Sequence, residues 1–181
     1  QTYSDTHSAR DNLFTAILTF GEGYHNYHHE FPSDYRNGVR PWDWDPSKWT
    51  IKGLSLIGMT SDLKKIPDEI ILRKKTHMKE KRMKAKLSNS GFKFFGTSQE
   101  QILEGLKERY EAAYKTLANL RAELKKSQEP SNAAYKYDKT FLSLESNILR
   151  DRIDDARYEF KKCVREWNLM RRRVLAYAKA S

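Results

Sequence analysis

Across residues 98–181, apolar side chains return every three or four positions. Leu103, Leu106, Tyr110, Ala113, Leu117, Leu120 and Leu124 follow one another at spacings of 3, 4, 3, 4, 3 and 4. Such a 3.5-residue repeat keeps one stripe turned toward a partner helix, as in a coiled-coil seam. Ser98 with Gln101 resembles a capping box at the start of this helix. Glu129, Pro130, Ser131 and Asn132 supply breaker chemistry after it. A second seam then runs through Leu142, Ser146, Leu149, Ile153, Ala156, Phe160, Cys163, Trp167, Met170, Val174 and Tyr177, alternating 4 and 3 throughout. Two long helices joined by a short Pro-containing turn predict an antiparallel hairpin. The simplest use of the two stripes is to pack on each other. The second helix reads about a dozen residues longer than the first, which leaves part of its seam for a partner of unknown identity. Cys163 at a seam position reads as a small buried hydrophobe rather than a reactive thiol.

The earlier sequence has a different texture. Residues 1–60 hold four of the five histidines, three of the four tryptophans and five of the eight glycines. Within them, Lys48 to Leu63 reads as a helix with Asp45 as N-cap and Pro46 at its first position. Ile51, Leu54, Ile57 and Leu63 give that helix a moderate apolar face. Between Ser61 and Phe95 stand eleven Lys or Arg and four Asp or Glu, a local net charge of +7. Residues 76–97 therefore read as a basic connector. Its charges surround the helix and no aromatics interleave them. A solvated helix is the first expectation, attraction to an anionic membrane surface the second, and nucleic acid is not expected as a partner.

Composition narrows the picture further. The chain has 181 residues, 34 Lys+Arg against 24 Asp+Glu, a net charge of +10 and 38% hydrophobic residues. That balance suits long solvated helices better than a thick core. A single cysteine excludes an internal disulfide framework and a cysteine-based zinc site. The longest nearly apolar run, Leu13 to Phe20, falls far short of the roughly 20 residues that cross a bilayer as a helix. The chain begins with Gln1 and has no signal-peptide pattern, so it reads as a processed chain or a piece of something longer.

The sharpest chemical signal is the run Gly21-Glu22-Gly23-Tyr24-His25-Asn26-Tyr27-His28-His29-Glu30-Phe31-Pro32. On a helix, positions i, i+3 and i+4 share a face, so His25, His28 and His29 can turn their imidazoles toward one small volume. Neutral imidazole is a good ligand for iron, zinc and copper. Three ligands hold one metal with open positions, yet nothing else in the chain offers a second set. His7 and His77 are isolated, and Glu22 and Glu30 are the nearby acids. The ligand set is incomplete as it stands.

This run resembles the third histidine box of the membrane-bound acyl-CoA desaturases of the stearoyl-CoA, delta-9 type. The resemblance extends to Asp34-Tyr35-Arg36-Asn37, to Trp42-Asp43-Trp44-Asp45-Pro46-Ser47-Lys48-Trp49, to Leu56-Ile57-Gly58-Met59 and to Asp62-Leu63-Lys64-Lys65. Upstream, Ser8-Ala9-Arg10-Asp11-Asn12 resembles the approach to the box. It covers about residues 1–75. It implies multi-pass membrane proteins of the endoplasmic reticulum, in eukaryotes, with a cap on the cytosolic face that contains a di-iron centre. It also implies insertion of a cis double bond into a long-chain fatty acyl-CoA with O2 and electrons from cytochrome b5. His25, His28 and His29 match the third box and are thereby expected to ligate iron. No other catalytic residue and no substrate contact carries over.

Departures from the family pattern matter as much. The first two boxes and the membrane helices would lie before Gln1, and no haem-binding His-Pro-Gly-Gly follows. A di-iron site cannot be built from three histidines, so this chain alone is expected to be inactive. Tyr24, Asn26 and Tyr27 either orient the imidazoles or, for the tyrosines, simply pack. Trp42, Trp44 and Trp49 read equally as anchors at a membrane–water interface or as anchors of a core. The expected fold is mostly α. A C-terminal cap fragment of a helical membrane desaturase (residues 1–75) is followed by the connector (76–97) and a coiled-coil-like antiparallel hairpin (98–181). The rival expectation is a non-catalytic coiled-coil interaction module carrying a relic histidine box.

Overall fold

The computed structural model describes residues 2–6, 8, 11–19, 23–90, 96–128 and 139–180. These residues are mostly helical, as expected, in the order α1 (Leu13–Leu18), α2 (His25–Glu30), α3 (Pro46–Leu56), α4 (Asp68–Asn89), α5 (Ser98–Gln128) and α6 (Lys139–Ala180). They fall into two compact units, Gln1–Arg82 and Met83–Ser181, with the division inside α4. Among the described residues no helix is long and apolar enough to cross a membrane.

The N-terminal unit is built from short pieces. Asn12 caps α1, its side chain accepting from the backbone N–H of Phe14 and Thr15. Gly23 lies so close to this helix that an added Cβ would stand 2.0 Å from the Ala16 nitrogen and 2.4 Å from the Asn12 oxygen. Only glycine allows that approach. The Gly23 carbonyl accepts from Asn12 N–H at 2.8 Å, and an isolated bridge pairs Asp11 with Tyr24. A small core of Tyr3, Tyr27, Phe31 and Ile71 packs with Val39, Ile66 and Ile70.

The start of α3 is as expected, with Asp45 as cap, accepting from Lys48 N–H, and Pro46 in the first turn. Its end is not: the helix stops at Leu56 rather than reaching Leu63. The chain then turns through Gly58 at φ +76 and Asp62 at φ 54, left-handed conformations that a helix cannot contain. Ile57 is accordingly exposed instead of joining the face of Ile51 and Leu54.

The basic stretch folds into α4 and is not solvated all round. Ile71, Thr76, Met78, Glu80, Met83 and Leu87 are buried along it. Its cations are also engaged. Lys74 pairs with Glu30 and Lys81 with Asp5, while Lys75 lies 4.9 Å above the Tyr3 ring.

In the C-terminal unit α5 and α6 pack together as a hairpin. The ring pairs Tyr110–Trp167 at 6.2 Å and Tyr114–Phe160 at 5.7 Å run in opposite chain directions, which makes the pair antiparallel. Leu103, Tyr110, Leu117 and Leu120 of the first seam are buried, as are Leu149, Ile153, Phe160, Cys163, Trp167 and Val174 of the second. Leu106, Ala113, Leu124, Ser146, Ala156 and Met170 are half-buried. Cys163 is thus a buried small side chain with a free thiol. Tyr177 departs from the pattern at 66% exposure. Counting from the Tyr110–Trp167 pair, it falls opposite the first turn of α5, where no further turn exists to cover it. The capping box sits one residue earlier than read. Glu100 N–H donates to Thr97 Oγ1 and the Glu100 carboxylate accepts from Gly96 N–H, so Thr97 and not Ser98 is the cap. The Glu129–Asn132 breaker and the side chain of Leu142 lie outside the described residues.

Candidate metal centre

The helix α2 carries the three histidines, and six residues in isolation cannot hold themselves helical. Its neighbours hold it. The N-cap position, Tyr24, offers no side-chain bond. Asp11 takes over that task from outside the helix, its Oδ1 accepting from Asn26 N–H at 3.1 Å and Tyr27 N–H at 3.3 Å. A carboxylate there satisfies two first-turn donors and complements the positive end of the helix.

Two inward-facing side chains then fix the rotation of the helix. Asn26 is fully buried, and its Oδ1 accepts from the backbone N–H of Thr2 at 2.8 Å and Tyr3 at 2.7 Å. Its amide nitrogen donates to the Ser4 carbonyl at 2.8 Å. Tyr27, packed edge-on against Tyr3, donates its hydroxyl to Asp34 Oδ2 at 2.7 Å. Asp34 is held in turn by Arg36, whose Nε and Nη2 reach its two oxygens at 2.9 and 2.7 Å, and by Ile66 N–H at 2.9 Å.

Burial pushes the Asp34 carboxyl up, but the hydrogen bonds from Arg36, Tyr27 and two backbone N–H groups outweigh it and hold the group below its ordinary value. Burial opposes the Arg36 charge as well, and the Asp34 bond overcomes it, raising the guanidinium. The Tyr27 hydroxyl is raised by burial and by its bond to Asp34, so it stays a neutral donor. A buried ion pair is useful when every remaining polar site is also satisfied, and here that condition is nearly met.

With Asn26 and Tyr27 turned in, the histidines come out. His25 and His29 are exposed, one turn apart, with their Nε2 atoms 3.0 Å from each other. Two imidazole nitrogens each about 2.1 Å from one metal, at near right angles, stand about 3 Å apart. That pair therefore fits a chelate. His28 is half-buried and its Nδ1, shielded from solvent, has no hydrogen-bond partner. An orphaned ring nitrogen suits a ligand supplied from elsewhere. The three do not converge on a single point, and among the described residues no group of three His, Cys, Asp or Glu can hold one ion. His77 is exposed, Glu30 is paired with Lys74, and His7 and Glu22 lie outside the described residues.

Beyond the histidines a second polar knot shapes the loop to α3. Fully buried Asp45 accepts from Asn37 N–H at 2.7 Å and Gly38 N–H at 2.9 Å. Lys48, 5% exposed and lowered by burial, donates to the carbonyls of Gly38 and Arg40 at 3.0 and 2.9 Å. Trp42, Trp44 and Trp49 are 74%, 41% and 43% exposed, so they anchor no core among the described residues. The roles of Asp11 and Asp34 were hidden in the sequence. A cap fifteen residues away leaves no local signature, whereas Asn26 and Tyr27 were at least marked by standing between the histidines.

The chain is similar to acyl-CoA desaturase 1 of Saccharomyces cerevisiae, 45% identical over 86 residues that make up 48% of this chain and 17% of that protein. It is 46% identical over 91 residues to a probable acyl-CoA desaturase of Schizosaccharomyces pombe, covering 49% of this chain and 19% of that protein. Stearoyl-CoA desaturase 4 of Mus musculus is 36% identical over 64 residues, 35% of this chain and 18% of that protein. The chain thus spans under a fifth of the length of these relatives. No family model matches the chain. No solved structure matches it either.

Proposed function

We propose that this chain, a relative of the acyl-CoA desaturases over about half its length, contributes one histidine box of a di-iron enzyme. That enzyme introduces a cis double bond into a long-chain fatty acyl-CoA. The observation that carries this reading is α2 itself. His25 and His29 present nitrogens 3.0 Å apart and His28 keeps an unpartnered buried nitrogen. All three belong to the run that resembles the third histidine box of the desaturases. His25, His28 and His29 are the iron ligands in this reading, and histidines outside this chain complete the centre. When bound, the iron centre supplies the oxidising power, with O2, that removes hydrogen from an unactivated methylene pair. The chain's own contribution is orientation. Asp11 caps the ligand helix, Asn26 fixes it to the Thr2–Ser4 backbone, and the Tyr27–Asp34–Arg36 network fixes its opposite side. These partners set the rotation of the ligand helix, and so the face on which the histidines stand, before metal arrives.

The enzyme in this proposal is a membrane protein of the endoplasmic reticulum with its cap in the cytosol, and its electrons come from cytochrome b5 or a similar donor. Exposed Trp42, Trp44, Trp49, Leu56 and Met59 give the N-terminal unit an apolar surface suited to cover by lipid or further protein. The chain alone lacks the remaining ligands and is inactive. The test is to express this sequence with the coding sequence that precedes it, then measure iron content and unsaturated product from stearoyl-CoA. His25→Ala, His28→Ala and His29→Ala should each lose iron and product. Unchanged iron in all three would overturn the ligand assignment. Product formed by the 181-residue chain alone would overturn the need for further ligands.

A second reading is favoured by the hairpin, whose core is closed within Met83–Ser181. There the hairpin is the working part, a coiled-coil interaction module. Sedimentation of the isolated chain that shows a concentration-dependent dimer would support its homotypic form.

A further inference from the structure

The basic stretch that invites an anionic partner in the sequence is occupied internally along much of α4, by Glu30, Asp5 and the Tyr3 ring. Cationic side chains gather instead within the C-terminal unit. There the last turn of α4 and the final turns of α6 enclose a groove of about 420 Å³. Lys86, Arg171, Arg172 and Lys179 line it, and Leu87 and Leu175 supply apolar lining; no carboxylate is among the lining residues.

Helix ends explain only part of this. Lys86 and Lys179 stand in the last turns of α4 and α6, where a cation offsets the partial negative charge of the carbonyls. Arg171 and Arg172 lie more than two turns before the end of α6, too far for that effect. Arg171 also carries a specific defect. Its Nε is shielded from solvent and has no hydrogen-bond partner among the described residues. Burial, then the neighbouring Arg172 charge, lowers its affinity for its proton. A buried donor without an acceptor costs stability, more so when charged. An anion in the groove stabilises the Arg171 charge by attraction and offsets the Arg171–Arg172 repulsion. Ala176 and Ala178, also in the lining, leave room for close approach.

We propose that this groove binds a phosphate group carried by an apolar chain, with Arg171 and Arg172 holding the phosphate and Leu87 and Leu175 meeting the adjoining carbons. The planar guanidinium fork matches phosphate oxygens two at a time, which lysine cannot do. The volume admits a head group and its first few carbons, not a whole lipid. Such chemistry is offered by an anionic phospholipid in a membrane and by a soluble phosphorylated amphiphile. The inference stands independently of the desaturase reading, since it uses only residues of the C-terminal unit.

The 181-residue chain is tested against phosphatidylcholine vesicles with and without phosphatidic acid, and against pyrophosphate by calorimetry. The groove variant is Arg171→Gln with Lys179→Gln. The control is Lys115→Gln with Lys125→Gln, exposed on α5 and equal in charge change. Thermal melts confirm that both variants fold, and Arg171→Lys serves if the first does not. Loss of a bidentate charged contact predicts about tenfold weaker binding in the groove variant and little change in the control. Loss confined to vesicles with phosphatidic acid supports a membrane source, and loss of pyrophosphate binding without vesicle preference supports a soluble one. Equal loss in groove and control variants, or no binding of either probe, overturns the proposal.

Discussion

In the N-terminal unit the fully buried side chains include Tyr27 but also Asn26, Asp45 and Thr76; in the C-terminal unit they include Trp167, Tyr110, Phe160, Leu87, Leu117, Val164 and Val174. The contrast follows from element length. Helices of 31 and 42 residues satisfy nearly all their own backbone groups, so α5 and α6 can meet through apolar side chains alone. The six-residue helices α1 and α2 leave most of their backbone ends to others. Side chains of Asn12 and Asp11 answer that need, while Asn26 and Asp34 answer backbone groups of the flanking loops. One unit is held by where hydrogen bonds go, the other by how much apolar surface is removed from water. The first also keeps large side chains outside, including Phe14 at 71% and Leu56 at 80% exposure.

The largest effects should separate the two units cleanly. Trp167→Ala removes the biggest fully buried side chain of the hairpin and should cost about 3–5 kcal/mol. The expected result is a lower melting transition by circular dichroism while the His25 and His29 ring resonances stay in place. Loss of both together would show that the units do not fold independently. Asp34→Ala is the matching test of the other unit. It leaves the Arg36 charge buried without its partner and should cost about 3–5 kcal/mol there, with the hairpin transition unmoved.

Acid should do the same without mutation. The folded-state value of Asp34 lies below its unfolded value, so the stability it contributes is complete above the ordinary carboxylate range. It is lost as pH falls through the depressed folded value. The seam carries no such requirement. Nuclear magnetic resonance on acidification should therefore show α2 signals shifting before those of Phe160 and Trp167; a simultaneous loss would break the comparison.

How much of this was written in the sequence also differs between the units. The hairpin was legible because periodicity is local: each seam residue predicts the next three or four positions on. Even its error was small, with Thr97 and Glu100 forming the cap in place of Ser98 and Gln101. Among the described seam residues Tyr177 is the one found exposed, and its exposure depends on where the other helix starts. In the N-terminal unit the histidine triplet and the Asp45–Pro46 helix start could be read, because both are signals among neighbours. The support for α2 could not. Asp11 reaches across fifteen residues and Ile66 N–H across thirty-two to Asp34. The early end of α3 depended on positive φ at Gly58 and Asp62, and only the glycine hints at it.

Asn26 sharpens the comparison at a middle scale. Asn26→Ala leaves the N–H groups of Thr2 and Tyr3 and the Ser4 carbonyl unanswered, at about 1–3 kcal/mol per buried unsatisfied group. Proteolysis should then cut near Thr2–Ser4 faster, with no change in cleavage of α5. Equal protection in wild type and variant would mean that Tyr27 and Asp11 alone hold α2.

The smallest effect is expected at an ion pair that links the two hairpin helices. Arg109 Nη1 meets Glu166 Oε2 at 3.0 Å, beside the Tyr110–Trp167 ring pair, yet the two side chains are 57% and 36% exposed. Water screens such a pair and both long side chains lose freedom in making it, so a double-mutant cycle with Arg109→Ala and Glu166→Ala should give about 0.2–1 kcal/mol of coupling. It should fade with added salt. The buried Asp34–Arg36 pair, 0% and 7% exposed, should barely respond to the same salt. Both pairs join a guanidinium to a carboxylate, but the buried pair is two-pronged and shielded whereas the exposed pair makes one contact in water. Equal salt sensitivity in both would mean that water reaches Asp34, and that the N-terminal unit is held less by its hydrogen bonds than its geometry implies.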